Sequence, residues 1–213
     1  MILLPLLLSL AATAASAARI RSLTHNGPGC PQDARVTWSG NLSDLTITLS
    51  DFSESLAAGQ MTSCQVHLLV DQGESGKSLV LQDVVVRGGL YLSPNSKVDF
   101  YTAAYWSETA SDTVSRVILA FWHSPSQDSD ISAFKVTKQT STSSGSSAVV
   151  RNVAIAQRLG SSSPCVGNDG YVGILNVTFR IIAQEGGRVV FGRERISSTS
   201  PVTEALSFTW QSC

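Results

Sequence analysis

The chain has 213 residues, with 15 basic and 16 acidic side chains, so it is close to neutral and only 15% charged. No Lys/Arg run or basic stripe interrupts it, which excludes the electrostatic footprint of a nucleic-acid binder or of a protein held on an anionic membrane surface. Aromatic residues make up 7%, and abundant Val, Leu, Ile, Ser and Thr favour sheet over helix.

The first element is a leader. Ile2 to Leu10 form a short apolar run, and Ala15-Ser16-Ala17 is a small-x-small cleavage site followed by Ala18 and Arg19. That layout marks residues 1–17 as a signal peptide. The apolar run is shorter than the roughly 20 residues that span a bilayer, so it reads as a leader rather than an anchor. The expectation is a secreted chain of residues 18–213 with no membrane span. At about 195 residues it forms one domain large enough to bury a core.

Strand-type runs then alternate with turn clusters. Arg19 to Leu23 is a first strand, ended by "HNGPGCP". "ARVTWS" and "DLTITLS" follow, the second setting Leu45, Ile47 and Leu49 against Thr46, Thr48 and Ser50 as a half-buried strand requires. "GNLS" connects the two as a hairpin or short loop. "SESLAAGQ" is the one stretch suited to a single helical turn. "CQVHLLV" places Val66, Leu68 and Val70 on one face. "SLVLQDVVVRGGLYL" is a long apolar run in which Gly88-Gly89 signals a bend, bulge or turn.

"KVDFYTAAYW", "TVSRVILAFW" and "SAFKVTKQ" continue the pattern, and residues 139–148 form a Ser/Thr-rich tract expected to be a flexible loop. After "AVVRNVAIAQ" and a loop, "GILNVTFRIIA" aligns Leu175, Val177, Phe179 and Ile181, and "LSFTWQSC" aligns Leu206, Phe208 and Trp210. No helical period holds for three turns. A dozen short strands spaced by turns predict an all-β antiparallel sandwich, jelly-roll-like in character.

The four cysteines, Cys30, Cys64, Cys165 and Cys213, are more than 30 residues apart in sequence. No CxxC or zinc-ribbon spacing exists, and an oxidising compartment makes two disulfides the default. Three connectivities are open. Sequential pairing, Cys30–Cys64 and Cys165–Cys213, needs the fewest topological assumptions. Two N-glycosylation sequons are present, Asn41-Leu42-Ser43 in a turn and Asn176-Val177-Thr178 in a strand. Asn176 and Thr178 lie on the parity opposite the apolar residues and so are expected to face solvent.

Candidate chemistry is sparse. "GESGKS" lacks the first glycine of a phosphate-binding loop, its place being taken by Asp71, and reads as a polar turn. His25, His67 and His123 stand alone, so neither a metal nor a cofactor is expected. No GxSxG elbow is present. Asp99, Glu108 and Asp112 flank "DFYTAAYWSE", where two carboxylates could serve a glycan-active hydrolase or lyase, with Arg87 as a further candidate. The same segment offers Tyr101, Tyr105, Trp106 and Trp122 as an aromatic platform for sugar rings or a protein partner. Phe100 and Trp106 share one parity and Tyr101 and Tyr105 the other, so one set points into the core and the other out of it.

The cysteine contexts carry a resemblance over nearly the whole mature chain. "SLTHNGPGCPQ", "SCQVHLLV", "VVVRGGLYL", "SSPCVGNDGYVGILNVTFRI" and the terminal "LSFTWQSC" resemble a family of small secreted fungal proteins catalogued as a domain of unknown function. Val86-Arg87-Gly88 stands where that family commonly has Tyr-Arg-Gly, and a longer polar insertion occupies residues 124–147. The resemblance implies a fungal, secreted, disulfide-bonded β-domain and carries over no catalytic residue. The leading expectation is a non-enzymatic extracellular or wall-associated protein that binds polysaccharide or an extracellular protein. The alternative is an enzyme, glycan-active or of secondary metabolism, built on the carboxylates. A structural wall component with no small ligand is a third, blander alternative.

Overall fold

The computed structural model describes residues 18–109, 135–192 and 201–213. Residues 1–17, expected to be a leader, and the "TVSRVILAFW" run lie outside the described residues. Twelve strands are present in them: β1 (Arg19–Asn26), β2 (Val36–Ser39), β3 (Thr46–Leu49), β4 (Ser53–Ala57), β5 (Met61–Asp71), β6 (Lys77–Leu92), β7 (Lys97–Trp106), β8 (Lys135–Ser143), β9 (Val149–Ser162), β10 (Gly173–Glu185), β11 (Arg188–Gly192) and β12 (Val202–Ser212). All pairings are antiparallel. A five-stranded sheet has the order β1-β5-β10-β7-β8, and a seven-stranded sheet runs β2-β3-β12-β6-β11-β4 with β9 paired to β6. The fold is an all-β sandwich.

Alternation builds the core between the sheets. Val66, Leu68 and Val70 of β5, Leu175, Val177, Phe179 and Ile181 of β10, and Phe100, Ala104 and Trp106 of β7 are all buried. Facing them are Ile47, Leu49, Val84, Val86, Leu90 and Leu92 of the second sheet. Phe52, Phe100, Phe179 and Phe191 interlock there: Phe100 stacks on Phe179 at 6.0 Å and meets Phe191 at 5.4 Å at a steep angle. The open side is tied by Gln157 of β9, whose Nε2 donates to Thr140 Oγ1 at 3.2 Å, and by Trp106 Nε1, which donates to the Ser161 carbonyl at 3.3 Å. Among the described residues one acid enters this core: Glu204 of β12, 1% exposed.

Both disulfides form in the sequential pattern, Cys30–Cys64 and Cys165–Cys213. The first pins the "GPGCP" turn onto β5, with Gly29 N–H donating to the Ser63 carbonyl at 3.0 Å. Glycine is required at position 29 because a Cβ there would come within 2.5 Å of the Phe52 ring. The second ties the loop after β9 to the end of β12.

Three local expectations differ from the structure. "SESLAAGQ" contains β4, which pairs with β11 over Ser53–Ala57, because Leu56 has a core place that a solvent-exposed helical turn would forfeit. Gly88-Gly89 does not interrupt β6. Gly88 instead leaves room for the Phe191 ring, whose Cζ lies 2.7 Å from where a Cβ would be. The serine and threonine tract is not a loop throughout: residues up to Ser143 belong to β8, laddered against β7, and only 144–148 connect it to β9. Threonine's β-branch suits such a strand as well as its polarity suits a loop.

Candidate functional site

The outward face of the five-stranded sheet collects polar and aromatic side chains in cross-strand rows. In one row His67 of β5 is opposite Asn176 of β10, which is opposite Tyr105 of β7. The next row holds Gln65, Thr178 and Ala103, and the one after it Ser63, Arg180 and Tyr101. Ala103 sits between the two tyrosines on β7. Tyr101 and Tyr105 are four residues apart, about 13 Å along the strand. The small Ala103 and the short Thr178 therefore floor a trough between an arginine–tyrosine wall and a histidine–tyrosine wall.

The histidine wall is held by hydrogen bonds. Asn176 Nδ2 donates to Ser107 Oγ at 2.8 Å and to the Ile174 carbonyl at 3.2 Å. Its Oδ1 must then be the acceptor for His67 Nδ1–H. That assignment leaves His67 Nε2 as the acceptor facing Asn26 Nδ2 at 3.4 Å. Gln65 Nε2 donates to the Tyr105 hydroxyl at 3.2 Å, crossing the trough from β5 to β7. Below the arginine wall, Asp99 is 3% exposed and its Oδ2 accepts from Gln139 Nε2 at 3.0 Å and Gln184 Nε2 at 2.8 Å.

The residues singled out in sequence separate cleanly. Tyr101 and Tyr105 are half-buried on the outer face. Trp106 is fully buried and belongs to the core rather than to a platform, because its parity points between the sheets. Trp122, His123 and Asp112 lie outside the described residues. Asn41 is exposed in its turn, where its Oδ1 accepts from Ser43 N–H at 2.8 Å. Asn176 has the outward parity expected but is 3% exposed, covered by the neighbours that hydrogen-bond to it.

Of the candidate carboxylates, the two described ones, Asp99 and Glu108, have separate sets of partners. Glu108 lies nine residues beyond Asp99, where its Oε1 accepts from the Tyr171 hydroxyl at 2.6 Å and the Ile174 N–H at 3.1 Å. That bond, with partial burial and the nearby carboxylate charge, pushes the Tyr171 phenol up to about 12. Glu108 thus anchors the loop entering β10. Arg87 is on the other sheet, at a cavity of about 580 Å³ with Asn152, Ala154 and Thr203, whose described lining contains no acid. Among the described residues no group of three or more His, Cys, Asp or Glu side chains could hold a metal ion.

Sequence reasoning missed Gln65 and Arg180 as site residues. The signal was available for Arg180, which shares outward parity with Asn176 and Thr178 in "GILNVTFRIIA". The register that sets it beside Tyr101 is non-local.

A family model described as "Domain of unknown function (DUF4360)" matches residues 16–213. The chain belongs to this family. A search of curated proteins finds no match. Among solved structures, this DUF4360 protein is similar to TmCBM61 in complex with β-1,4-galactotriose, at 9% identity, 92% and 91% coverage of the two chains and a TM-score of 0.24. It is also similar to the N-terminal cellulose-binding domain of Cellulomonas fimi β-1,4-glucanase C, at 13% identity, 89% coverage of each chain and a TM-score of 0.23. A third likeness is to the enzymatically active domain of bacteriophage CBA120 tailspike protein 4, at 10% identity and a TM-score of 0.28, covering 90% of this chain and 20% of that one. The DUF4360 chain thus spans about a fifth of the tailspike protein. At these TM-scores the likenesses carry no argument about ligand or activity.

Proposed function

We propose that this protein is a secreted, non-enzymatic polysaccharide-binding domain that uses the outer face of the five-stranded sheet. In this reading residues 1–17 are removed, residues 18–213 act as one domain, and the protein works outside the cell, free or at a wall. The observation that carries the reading is the pair of half-buried tyrosines, Tyr101 and Tyr105, flanking a polar trough floored by Ala103 and Thr178. Tyrosine rings present apolar faces to the C–H side of a sugar while their hydroxyls stay solvated. The bond between Gln65 and Tyr105 fixes one wall before any ligand arrives, which lowers the ordering cost of binding. Asp99 lies on β7 and Glu108 in the turn beyond its end, each carboxylate engaged by hydrogen bonds of its own, which favours binding over hydrolysis.

Retention of the purified protein on a panel of insoluble polysaccharides, followed by calorimetry with soluble oligosaccharides, tests the proposal. The expected result is binding by the wild type and a loss of about tenfold or more for Tyr101→Ala and Tyr105→Ala. Equal binding by wild type and both variants, or no binding to any polysaccharide, overturns it.

A further inference from the structure

Arg180 occupies the middle strand of the five-stranded sheet, exposed, with Tyr101 opposite it on one side and Ser63 on the other. Most other described arginines are engaged: Arg19 and Arg21 with Asp71, Arg35 with Asp51, Arg158 with Asp83, and Arg188 with Ser55. Among the described residues no hydrogen bond or ion pair holds the Arg180 guanidinium. The nearest acid in the ladder, Asp99, is opposite Ile182, one row on. It is buried, and two glutamine amides occupy its Oδ2. Two amides hold Asp99 beneath the surface through Oδ2, although its buried Oδ1 has no hydrogen-bond partner, while the exposed Arg180 guanidinium keeps its N–H donors without a partner among the described residues.

We propose that the ligand of this face is an acidic polysaccharide, a chain containing uronate residues, whose carboxylate is bound by Arg180. This rests on the polysaccharide-binding reading above and names its substrate class. A guanidinium fork matches a planar carboxylate with two parallel hydrogen bonds, stronger and more directional than bonds between neutral groups. Tyr101, directly across the ladder, stacks the ring that carries that carboxylate, and the Ser63 hydroxyl lies on the opposite flank. Gln65 and Thr178, in the adjoining row, offer amide and hydroxyl partners for the sugar hydroxyls. A neutral glycan would leave the arginine unused, whereas a uronate uses every element of the wall.

The test compares polygalacturonate with its fully methyl-esterified form, which keeps the backbone and removes the charge. Neutral galactan and dextran sulfate are the further probes, each titrated into wild type, Arg180→Gln and Arg180→Lys. Expected is wild-type binding to polygalacturonate that weakens at least about tenfold on esterification and by a similar factor in Arg180→Gln. Arg180→Lys, which keeps the charge and loses the fork, should recover only part of the affinity, and dextran sulfate should bind more weakly than polygalacturonate. Equal binding of the free and esterified polymers, or wild-type affinity for polygalacturonate in Arg180→Gln, overturns the uronate assignment and leaves polysaccharide binding standing. Sulfate polymer bound as well as uronate also overturns it, because charge alone would then suffice. Failure to bind polygalacturonate while another polysaccharide of the panel is retained overturns the uronate assignment alone, and failure to bind any polysaccharide of the panel overturns the underlying reading itself. The side chain is exposed, so unchanged melting temperatures of both variants confirm that binding, and not folding, has been altered.

Discussion

Asn176 locks the His67 ring in place: its Oδ1 accepts from His67 Nδ1–H while its Nδ2 donates to Ser107 Oγ. The same nitrogen is the atom that an N-glycan would replace a hydrogen on. A glycosylated Asn176 would keep at most one of the donor's bonds and would have to emerge through a site that is 3% exposed. Of the two sequons, only Asn41 is therefore compatible with occupancy in the folded protein. Peptide mapping of protein secreted from a glycosylating host should find glycan at Asn41 and unmodified Asn176. A glycopeptide carrying Asn176 would show that this hydrogen-bond network is not the native one.

Removal of that network has a stability cost. Asn176→Ala leaves His67 Nδ1 and Ser107 Oγ without their partner, at about 1–3 kcal/mol for partly buried groups. Urea denaturation should show the loss, and Asn176→Asp, which keeps the acceptor for His67 but turns an oxygen towards the Ile174 and Tyr105 carbonyls, should be destabilising as well. A midpoint unchanged in the alanine variant would mean that water replaces the amide without penalty.

Gly88 offers a packing test. An added Cβ would meet Phe191 Cζ at 2.7 Å, in a core where Phe191 already touches Phe52, Phe100 and Phe179. The ring is buried among three other phenylalanines, so Gly88→Ala should destabilise by about 1–3 kcal/mol of overpacking strain. Thermal melting reads this directly. The double variant Gly88→Ala with Phe191→Leu should recover part of the loss, since leucine withdraws the clashing atom.

These cases mark what was readable beforehand. Period-two alternation in "DLTITLS", "CQVHLLV" and "GILNVTFRIIA" places Ile47, Val66 and Phe179 inside correctly, because it depends only on neighbours in the chain. Parity likewise separates Trp106 from Tyr105. It says nothing about what lies across the ladder: Asn176 faces outward yet is buried because Tyr105 arrives from β7 and Ser107 from the turn just beyond it. Gly88-Gly89 looked like punctuation for the same reason, as the ring that needs the space comes from β11, about a hundred residues later. The tract at 139–143 misled in another way, since threonine and serine suit a loop and an edge strand equally well. Glu204 was missed in the sequence, although it shares parity with the core residue Leu206.

The two disulfides should respond differently to reductant. Cys30 and Cys64 are each 1% exposed, whereas Cys165 and Cys213 are both exposed. Thiol–disulfide exchange requires a thiolate to reach a sulfur, so access orders the reaction. Limited dithiothreitol followed by alkylation and mass spectrometry should label Cys165 and Cys213 first in the native protein. Their loops close 34 and 48 residues of sequence separation, and loss of either bond should cost about 4 kcal/mol by the chain-entropy estimate. Labelling of Cys30 and Cys64 first would mean that the N-terminal turn opens more readily than its packing implies.

Glu204 makes stability depend on pH. Across the ladder it faces Ile47 of β3 and Val86 of β6, and neither carboxyl oxygen has a hydrogen-bond partner. Burial pushes its carboxyl up to about 8 from an ordinary value of 4.5. The folded state therefore holds a proton that the unfolded chain releases, and stability falls as pH rises from 4.5 towards about 8, then levels off. The full swing is on the order of 5 kcal/mol for one fully buried carboxyl. Glu204→Gln cannot ionise, so its stability relative to wild type should improve by most of that amount between pH 5 and pH 8, as read by urea unfolding at the two values. Parallel pH profiles for variant and wild type would show that this carboxyl finds a charge partner or water in the folded protein.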